Sequence, residues 1–277
     1  MIDLHMHTTA SDGRCTPSEL VDRAAAAGLT VMAVTDHDTT ASVVEVQARA
    51  TARGIEAYAG IEITAVEGGR DIHVLGYFLD HAEPRLLEFL RVQRETRVKR
   101  VHVIAARLAE LGVPIDLQTL LEEAQRNLGR SIGRPQVARA LVAAGHVANT
   151  KEAFDRFLAN DGPAFVSRPG SSPDVVIGII HRAGGVASLA HPGRTRIDSR
   201  IQPLAIAGLD ALEVYHSDHD EDAIQRYHRL ASDLGLLMTG GSDFHGDPTH
   251  GIEPGSSTLP AEEWERLNAA RRRHAVG

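Results

Sequence analysis

Five short apolar runs in this chain stop in the same way, on histidine and carboxylate. The first gives Asp3-Leu4-His5-Met6-His7, with Asp12 just beyond, and Thr30 to Val34 runs into Asp36, His37 and Asp38. Glu62 and His73 sit on or just after the next two strands, His191 follows Val186 to Ala190, and Asp243 and His245 follow Leu236 to Thr239. Side chains at i and i+2 of a strand share a face, so His5 and His7 can converge on one ion. A lone strand-end histidine is more often a satisfied polar residue than a ligand. The repetition at successive strand ends is what points to metal, because the carboxyl ends of parallel strands are the face on which barrel enzymes build their sites. Six histidines and three carboxylates gathered there suit several borderline-hard divalent ions, such as Mn²⁺, Zn²⁺ or Fe²⁺.

The segments between these clusters read as alternating helix and strand. Thr16-Pro17-Ser18-Glu19 carries a capping box with proline at the first helical position, and Gly28 stops that helix. A second helix is expected from about Ala41 to Arg53, then strands over Ile55 to Ile63 and His73 to Phe78. From Glu83 to about Asn160 the pattern is helical only. Val98, Val101, Ile104, Leu108 and Leu111 form one apolar stripe, and Gly112 and Pro114 end it. Asp116 can cap the next helix, and shorter helices follow over Arg134 to Ala144 and Thr150 to Leu158. Alternation resumes after Pro169, with helices from Pro173 to Ile180 and Asp220 to Leu234 and a last one holding Trp264. The expectation is an α/β domain with a parallel sheet or barrel formed by residues 1–82 and 165–277, with an all-α insertion at 83–164.

With 277 residues the chain can bury a large core, and its formal charge of −8 argues against a nonspecific nucleic-acid coat. Cys15 is the single cysteine, which rules out an intrachain disulfide and a structural thiolate zinc site and is compatible with a reducing compartment. No apolar run approaches the ~20 residues that span a bilayer, and no signal-peptide pattern opens the sequence. A cytoplasmic protein is expected, with no membrane association and no obligate protein partner. His102, His146, His228 and His274 lie on helices and read as surface or packing residues. His216 and His219, just past a strand, are candidates for substrate contact.

Taken together, Asp3-Leu4-His5-Met6-His7, Thr35-Asp36-His37, Gly60-Ile61-Glu62, His73-Val74-Leu75-Gly76, Ala190-His191-Pro192-Gly193 and Ser242-Asp243-Phe244-His245 resemble the PHP (polymerase and histidinol phosphatase) family of metal-dependent phosphoesterases. The resemblance runs the length of the chain. It implies a distorted (β/α)7 TIM-like barrel and a trinuclear centre, with two to three divalent ions bound, Mn²⁺ expected first and Fe²⁺ or Zn²⁺ as alternatives. One ion would take His5, His7, Glu62 and Asp243, a second Glu62, His73 and His191, and a third Asp12, His37 and His245. Asp3, Asp36 and Asp38 would orient the histidines or hold waters. Asp12, Glu62, His191 and Asp243 would hold the metal-bound hydroxide that attacks phosphorus.

Within that family, the insertion segment Arg134-Pro135-Gln136-Val137-Ala138-Arg139 resembles the nucleotide phosphatases that act on 3′,5′-bisphosphonucleotides and nucleoside monophosphates. Those proteins commonly carry histidine where this chain has Gln136. Arg134, Gln136, Arg194, Arg168 and His219 are the expected substrate contacts, since guanidinium matches phosphate bidentately. Asp38, His216, His219 or a metal-bound water would supply the general acid. The expected activity is hydrolysis of a phosphate monoester of a small nucleotide. The alternatives are trimming of short oligoribonucleotides, histidinol-phosphate hydrolysis, and a noncatalytic metal or nucleotide sensor. A carbamylated-lysine amidohydrolase is disfavoured, because Lys99 and Lys151, the only lysines, both lie in the insertion.

Overall fold

The computed structural model describes residues 1–126, 129–248 and 251–274. In chain order the first half holds β1 (Ile2–Asp3), α1 (Pro17–Ala26), β2 (Val31–Val34), α2 (Val43–Ala52), β3 (Glu56–Glu67) and β4 (Arg70–Tyr77). A helical block follows: α3 (Pro84–Glu110), α4 (Gln118–Arg126), α5 (Arg134–Ala143) and α6 (Thr150–Ala153), which continues as a π-helical turn over Phe154–Leu158. The second half holds α7 (Pro173–Arg182), β5 (Val186–Leu189), α8 (Pro192–Thr195), α9 (Asp198–Ile206), β6 (Ala211–His216), α10 (Glu221–Leu234), β7 (Leu237–Gly241) and α11 (Ala261–His274).

Among the described residues, seven strands form one sheet in sequential order. Its two edges meet: Leu4 N donates to Gly240 O at 3.1 Å, Asp243 N to His5 O at 2.8 Å and His7 N to Phe244 O at 2.9 Å. The sheet therefore curls into a nearly closed barrel of the expected kind. The expectation of uniformly parallel strands does not hold. β4 runs antiparallel to both β3 and β5, while the other neighbours are parallel. β3 and β4 are also longer than expected and join as a hairpin through Gly68 and Gly69, whose φ values of 57° and 78° suit a turn that matches strand twist. His73 thus reaches the site from the first half of its strand, not from a carboxyl end.

Local chemistry explains most boundaries. Thr16 Oγ1 accepts from Glu19 N at 3.3 Å and Glu19 Oε2 accepts from Thr16 N at 2.8 Å, completing the capping box of α1. Asp220 caps α10 through Ala223 N at 2.8 Å, and Gly235 ends it at φ 67°. The stripe on α3 buries Val101, Ile104 and Leu108 against Leu117, Val137, Leu141 and Phe157, a core separate from that of the barrel. Leu111 leaves the stripe because it is the cap residue, where the helix ends, and is 45% exposed. The helices α8 and α9 break any readable apolar period, since Arg196 between them is left-handed at φ 53° and Pro203 lies inside α9.

A candidate metal centre at one end of the barrel

All nine histidines and carboxylates expected from strand ends come together at one mouth of the barrel. Glu62, on β3 and 1% exposed, is the hub. Its Oε1 lies 2.6 Å from His73 Nδ1 and 3.1 Å from His191 Nε2, and those two nitrogens are 3.3 Å apart. Its Oε2 lies 3.2 Å from each of His5 Nε2, His7 Nε2 and His37 Nδ1. Asp243 Oδ1 closes the first of these groups, at 3.3 Å from His5 Nε2 and 3.2 Å from His7 Nε2. Asp12 gathers a third: Oδ1 is 3.2 Å from His245 Nε2 and 3.7 Å from His7 Nδ1, and Oδ2 is 3.6 Å from His37 Nε2.

The donor set fits cations. Both ring nitrogens of His7 and Nδ1 of His37 are buried without a hydrogen-bond partner, although carboxylate oxygens lie close by. Buried polar atoms are rarely left so. Nitrogen lone pairs and carboxylate oxygens turned toward common points are what a divalent ion satisfies. Burial would raise the carboxyls of Glu62, Asp12 and Asp243, but the surrounding imidazoles outweigh it and hold all three well below the usual range. Among the rings, burial lowers His37 to about 3 and His191 to about 4. Burial also opposes charge on His7, yet Asp243, Glu62 and Asp12 lift it to about 10. The backbone is strained at the same place. Asp38, His191 and Asp243 all adopt positive φ, at 50°, 29° and 55°, at about 1–3 kcal/mol each for residues with a Cβ.

The three aspartates expected to orient the histidines or hold waters meet backbone, hydroxyl and guanidinium donors rather than histidine rings. Asp3 Oδ1 accepts from the backbone of His5 at 3.2 Å and Ser242 at 3.0 Å, and Oδ2 from Gly255 N at 2.8 Å. Asp36 accepts from Thr8 N at 2.8 Å, Thr8 Oγ1 at 2.7 Å, Ser11 Oγ at 2.7 Å and Ser42 Oγ, so it shapes the loop leading to Asp12. Asp38 takes Thr64 N at 2.9 Å and Arg97 Nε. Burial would raise Asp38, and Arg97 and Arg168 overcome this, so it stays ionised.

Several expected substrate contacts are engaged in the fold. Gln136 is 4% exposed; its Nε2 donates to Ser11 O at 2.7 Å and its Oε1 accepts from Gly133 N at 2.8 Å. It anchors the Asp12 loop and has no amide atom left for a phosphate. His219 is committed at both nitrogens: Nδ1 donates to Val214 O at 2.8 Å and Nε2 accepts from Gly193 N at 3.2 Å. Arg168 is buried, donating to Thr64 O at 2.9 Å beside Asp38 and Asp71. Arg134 donates to Leu158 O at 3.0 Å, Asn160 Oδ1 at 2.9 Å and Asp71 Oδ2 at 3.2 Å. Burial lowers both guanidinium values to about 10, which leaves both charged at neutral pH. Arg194 differs: its side chain is 61% exposed and its Nη1 lies 3.4 Å from Asp243 Oδ2, at the edge of the centre. Of the helical histidines, His102 and His228 are exposed and His146 donates to Pro114 O at 2.7 Å, while the side chain of His274 lies outside the described residues.

Two buried residues of β6 join the centre. Sequence reasoning misses Glu213 and gives His216 only as a substrate contact or acid. A β-bulge between Glu213 and Tyr215 shifts the strand's period, so residues three apart both face inward. Glu213 Oε1 lies 2.8 Å from His5 Nδ1, and His216 Nε2 lies 3.4 Å from Asp243 Oδ2. A charged residue inside the apolar run Ala211–His216 is the available signal.

Barrel and centre together define a metal-dependent hydrolase. The family model of the PHP domain matches residues 3–158. The chain belongs to the PHP domain family and is a metal-dependent phosphoesterase. It is 35% identical to the 3′,5′-nucleoside bisphosphate phosphatase of Chromobacterium violaceum, over 97% of this chain and 96% of that one. It is 36% identical to a 5′-3′ exoribonuclease of Haemophilus influenzae, over 96% of this chain and 98% of that one. Among solved structures it is similar to a Bifidobacterium adolescentis protein assigned as a metal-dependent phosphoesterase, with TM-score 0.88 and 32% identity over 98% and 96% of the two chains. It is also similar to a Chromobacterium violaceum amidohydrolase with bound sulfate and no metal, with TM-score 0.86 and 34% identity over 97% and 96%. No described helix is long and apolar enough to cross a membrane.

Proposed function

We propose that the protein removes a phosphate monoester from a small nucleotide, a 3′,5′-bisphosphonucleotide or a nucleoside monophosphate, in the cytoplasm and with Mn²⁺. The observation that carries this reading is the division of Glu62 between two groups of donors less than 4 Å from its two oxygens. Cations that share one carboxylate lie close enough to flank one phosphoryl group. His5, His7, Glu62 and Asp243 would hold one ion, Glu62, His73 and His191 a second, and Asp12, His37 and His245 a third. Such ions, when bound, lower the pKa of water and offset charge on the phosphoryl oxygens.

The remaining work falls to the chain's own groups. Arg194 is the cation at the open edge and contacts the phosphate or the leaving group. Asp38 is ionised against Arg97 and has no proton to give, and His219 is held at both nitrogens. His216 accepts from Asp218 N at Nδ1, at 3.0 Å, so a neutral ring carries its proton on Nε2, the atom turned toward the centre. That makes His216 a hydrogen-bond donor toward a phosphoryl or leaving oxygen, while the proton itself would come from a water, because a neutral imidazole has no acidic proton to give. The helical block sits on the ligand loops: Ser131 N donates to Ala10 O at 2.8 Å, Arg139 Nη1 to Asp12 O at 2.9 Å and Thr39 Oγ1 to Gly129 O at 2.5 Å. Residues 83–164 so arranged form a cap on one side of the mouth, which favours small substrates.

A second reading is 5′-3′ trimming of short RNA, favoured by the exoribonuclease names of relatives from Haemophilus influenzae and Escherichia coli, the latter 34% identical. The test is phosphate and nucleotide release with Mn²⁺ from adenosine 3′,5′-bisphosphate, 5′-AMP, histidinol phosphate and a short RNA. Fastest phosphate release from the bisphosphate is expected. Mononucleotides from RNA with no phosphate released from the bisphosphate would replace the first reading by the second.

A further inference from the structure

Glu213 lies at the junction of two of the ligand groups and belongs to neither. It is fully buried, and each of its oxygens has one partner. Oε1 accepts from His5 Nδ1 at 2.8 Å and Oε2 from the backbone N–H of His191 at 2.7 Å. We propose that Glu213 is the positioning residue that ties the His5 group to the His191 group, setting the tautomer of one and the backbone of the other. This role rests on the ligand sets given above.

Donors and acceptors decide the assignment. His5 Nε2 faces Glu62 and Asp243, so its lone pair is free for a cation only if Nδ1 carries the proton. A carboxylate oxygen at 2.8 Å accepts that proton and fixes both tautomer and ring plane. His191 needs a different service. Its φ of 29° lies in the left-handed region, and its N–H bonds to Glu213 Oε2 instead of continuing the β5 ladder. Holding that N–H holds the strained turn from which the ring reaches Glu62, at 3.1 Å.

Both oxygens must therefore accept, and glutamine cannot replace them. Its single acceptor can serve one partner only. With its NH₂ on His5, the ring must move its proton to Nε2 and lose the ligating lone pair. With its NH₂ on His191, two donors face each other. His5, Glu213 and His216 also lie close enough to suggest an extra cation site. His216 argues against it, because Nδ1 accepts from Asp218 N and Nε2 then carries hydrogen.

The experiment titrates wild-type and Glu213→Gln apoprotein with Mn²⁺, reading equivalents and affinity by competition with a chelator, with circular dichroism as the check of fold. The expected variant binds the same number of equivalents about 10–100-fold more weakly, and its activity returns as Mn²⁺ is raised. Wild-type affinity in the variant, with only a lower melting temperature, would overturn the proposal, and so would one equivalent lost at every Mn²⁺ concentration. A wild-type chain that takes up no Mn²⁺ would sink the ligand sets themselves. If the variant does not fold, ¹⁵N-histidine NMR of the Zn²⁺-loaded wild type decides. A proton on His5 Nδ1 is expected, and a bare Nδ1 overturns the proposal.

Discussion

Asp71 Oδ2, on the β3–β4 hairpin, accepts from Arg134 Nη2 at 3.2 Å and from Arg100 Nη1 at 2.8 Å. One carboxylate thus joins the barrel to the first turn of α5 and to the middle of α3. Replacing it by asparagine leaves two buried guanidiniums short of a counter-charge and should cost roughly 3 kcal/mol at neutral pH. Burial would raise the Asp71 carboxyl, but Arg100 and Arg134 outweigh it and hold it well below its ordinary value of 3.8. A depressed carboxyl stabilises the fold above that ordinary value and loses its contribution as pH falls toward the folded one. The melting-temperature gap between wild type and Asp71→Asn should be widest near pH 7 and shrink below about pH 4. A gap that stays constant down to pH 2.5 would refute the ion-pair account.

Arg134 and Arg194 should separate in their effects. Arg134→Ala removes contacts within the fold and is expected to lower the melting temperature, with KM changed less than threefold. Arg194→Ala removes an exposed cation beside Asp243 and is expected to raise KM about tenfold, the loss of one charged hydrogen bond, at unchanged melting temperature. Thermal melts and steady-state kinetics on the same preparations decide. The reverse pattern would return Arg134 to the substrate.

Gln136→Leu keeps the volume and removes the amide. The carbonyl of Ser11 and the N–H of Gly133 then lose their partners, at about 1–3 kcal/mol. Because Asp12 follows Ser11, weaker binding of the last equivalent of Mn²⁺ should accompany the loss. An unchanged metal titration would show that the Asp12 loop holds without this anchor.

Glu62→Gln keeps the shape of the hub and removes its charge. Loss of at least one metal equivalent and a fall in kcat on the order of 10²-fold or more are expected, since charge stabilisation in the transition state is usually what accelerates such a reaction most. Elemental analysis together with single-turnover rates would check it. Full metal content with wild-type kcat would contradict the shared role of this carboxylate.

Gly241→Ala tests the seam of the barrel. A Cβ there would lie 2.3 Å from His5 N and 2.5 Å from His5 Cβ, where backbone must move. A loss of about 1–3 kcal/mol and weakened metal binding are expected from such overpacking. A variant with unaltered melting temperature and metal affinity would mean that the seam is more pliant than these distances allow.

The histidines and carboxylates that meet at the mouth of the barrel are legible in the sequence because metal donors are a narrow set of residue types and strands present them at fixed places. Glu213 is not, because it shows only as one charge inside an apolar run, and the β-bulge that follows it and brings His216 to the same face is in no period-two reading. The direction of β4 escapes for a related reason. His73 looks the same on a parallel or an antiparallel strand, although Gly68-Gly69 between alternating flanks is a usable hairpin signal. Arg134, Arg168 and Gln136 carry phosphate-binding groups by type, but their partners decide their use. Asp71 and Ser11 become neighbours of Arg134 and Gln136 only after the helical block has docked, and Thr64 meets Arg168 only across more than a hundred residues of chain. The approach of the helical block to Ala10, Ser11 and Asp12 is likewise a tertiary fact with no local pattern behind it.

The meeting of the sheet's two edges sets an order of events during synthesis. His5 and His7 are made more than two hundred residues before Asp243 and His245, which face the same points in space. At ordinary translation rates that interval is on the order of ten seconds or more. Throughout it the nascent chain offers an exposed two-histidine arm that any loosely held cation can visit. The nine groups therefore meet only once β7 has been made and the seam has closed, in whatever metal pool surrounds the chain at that moment.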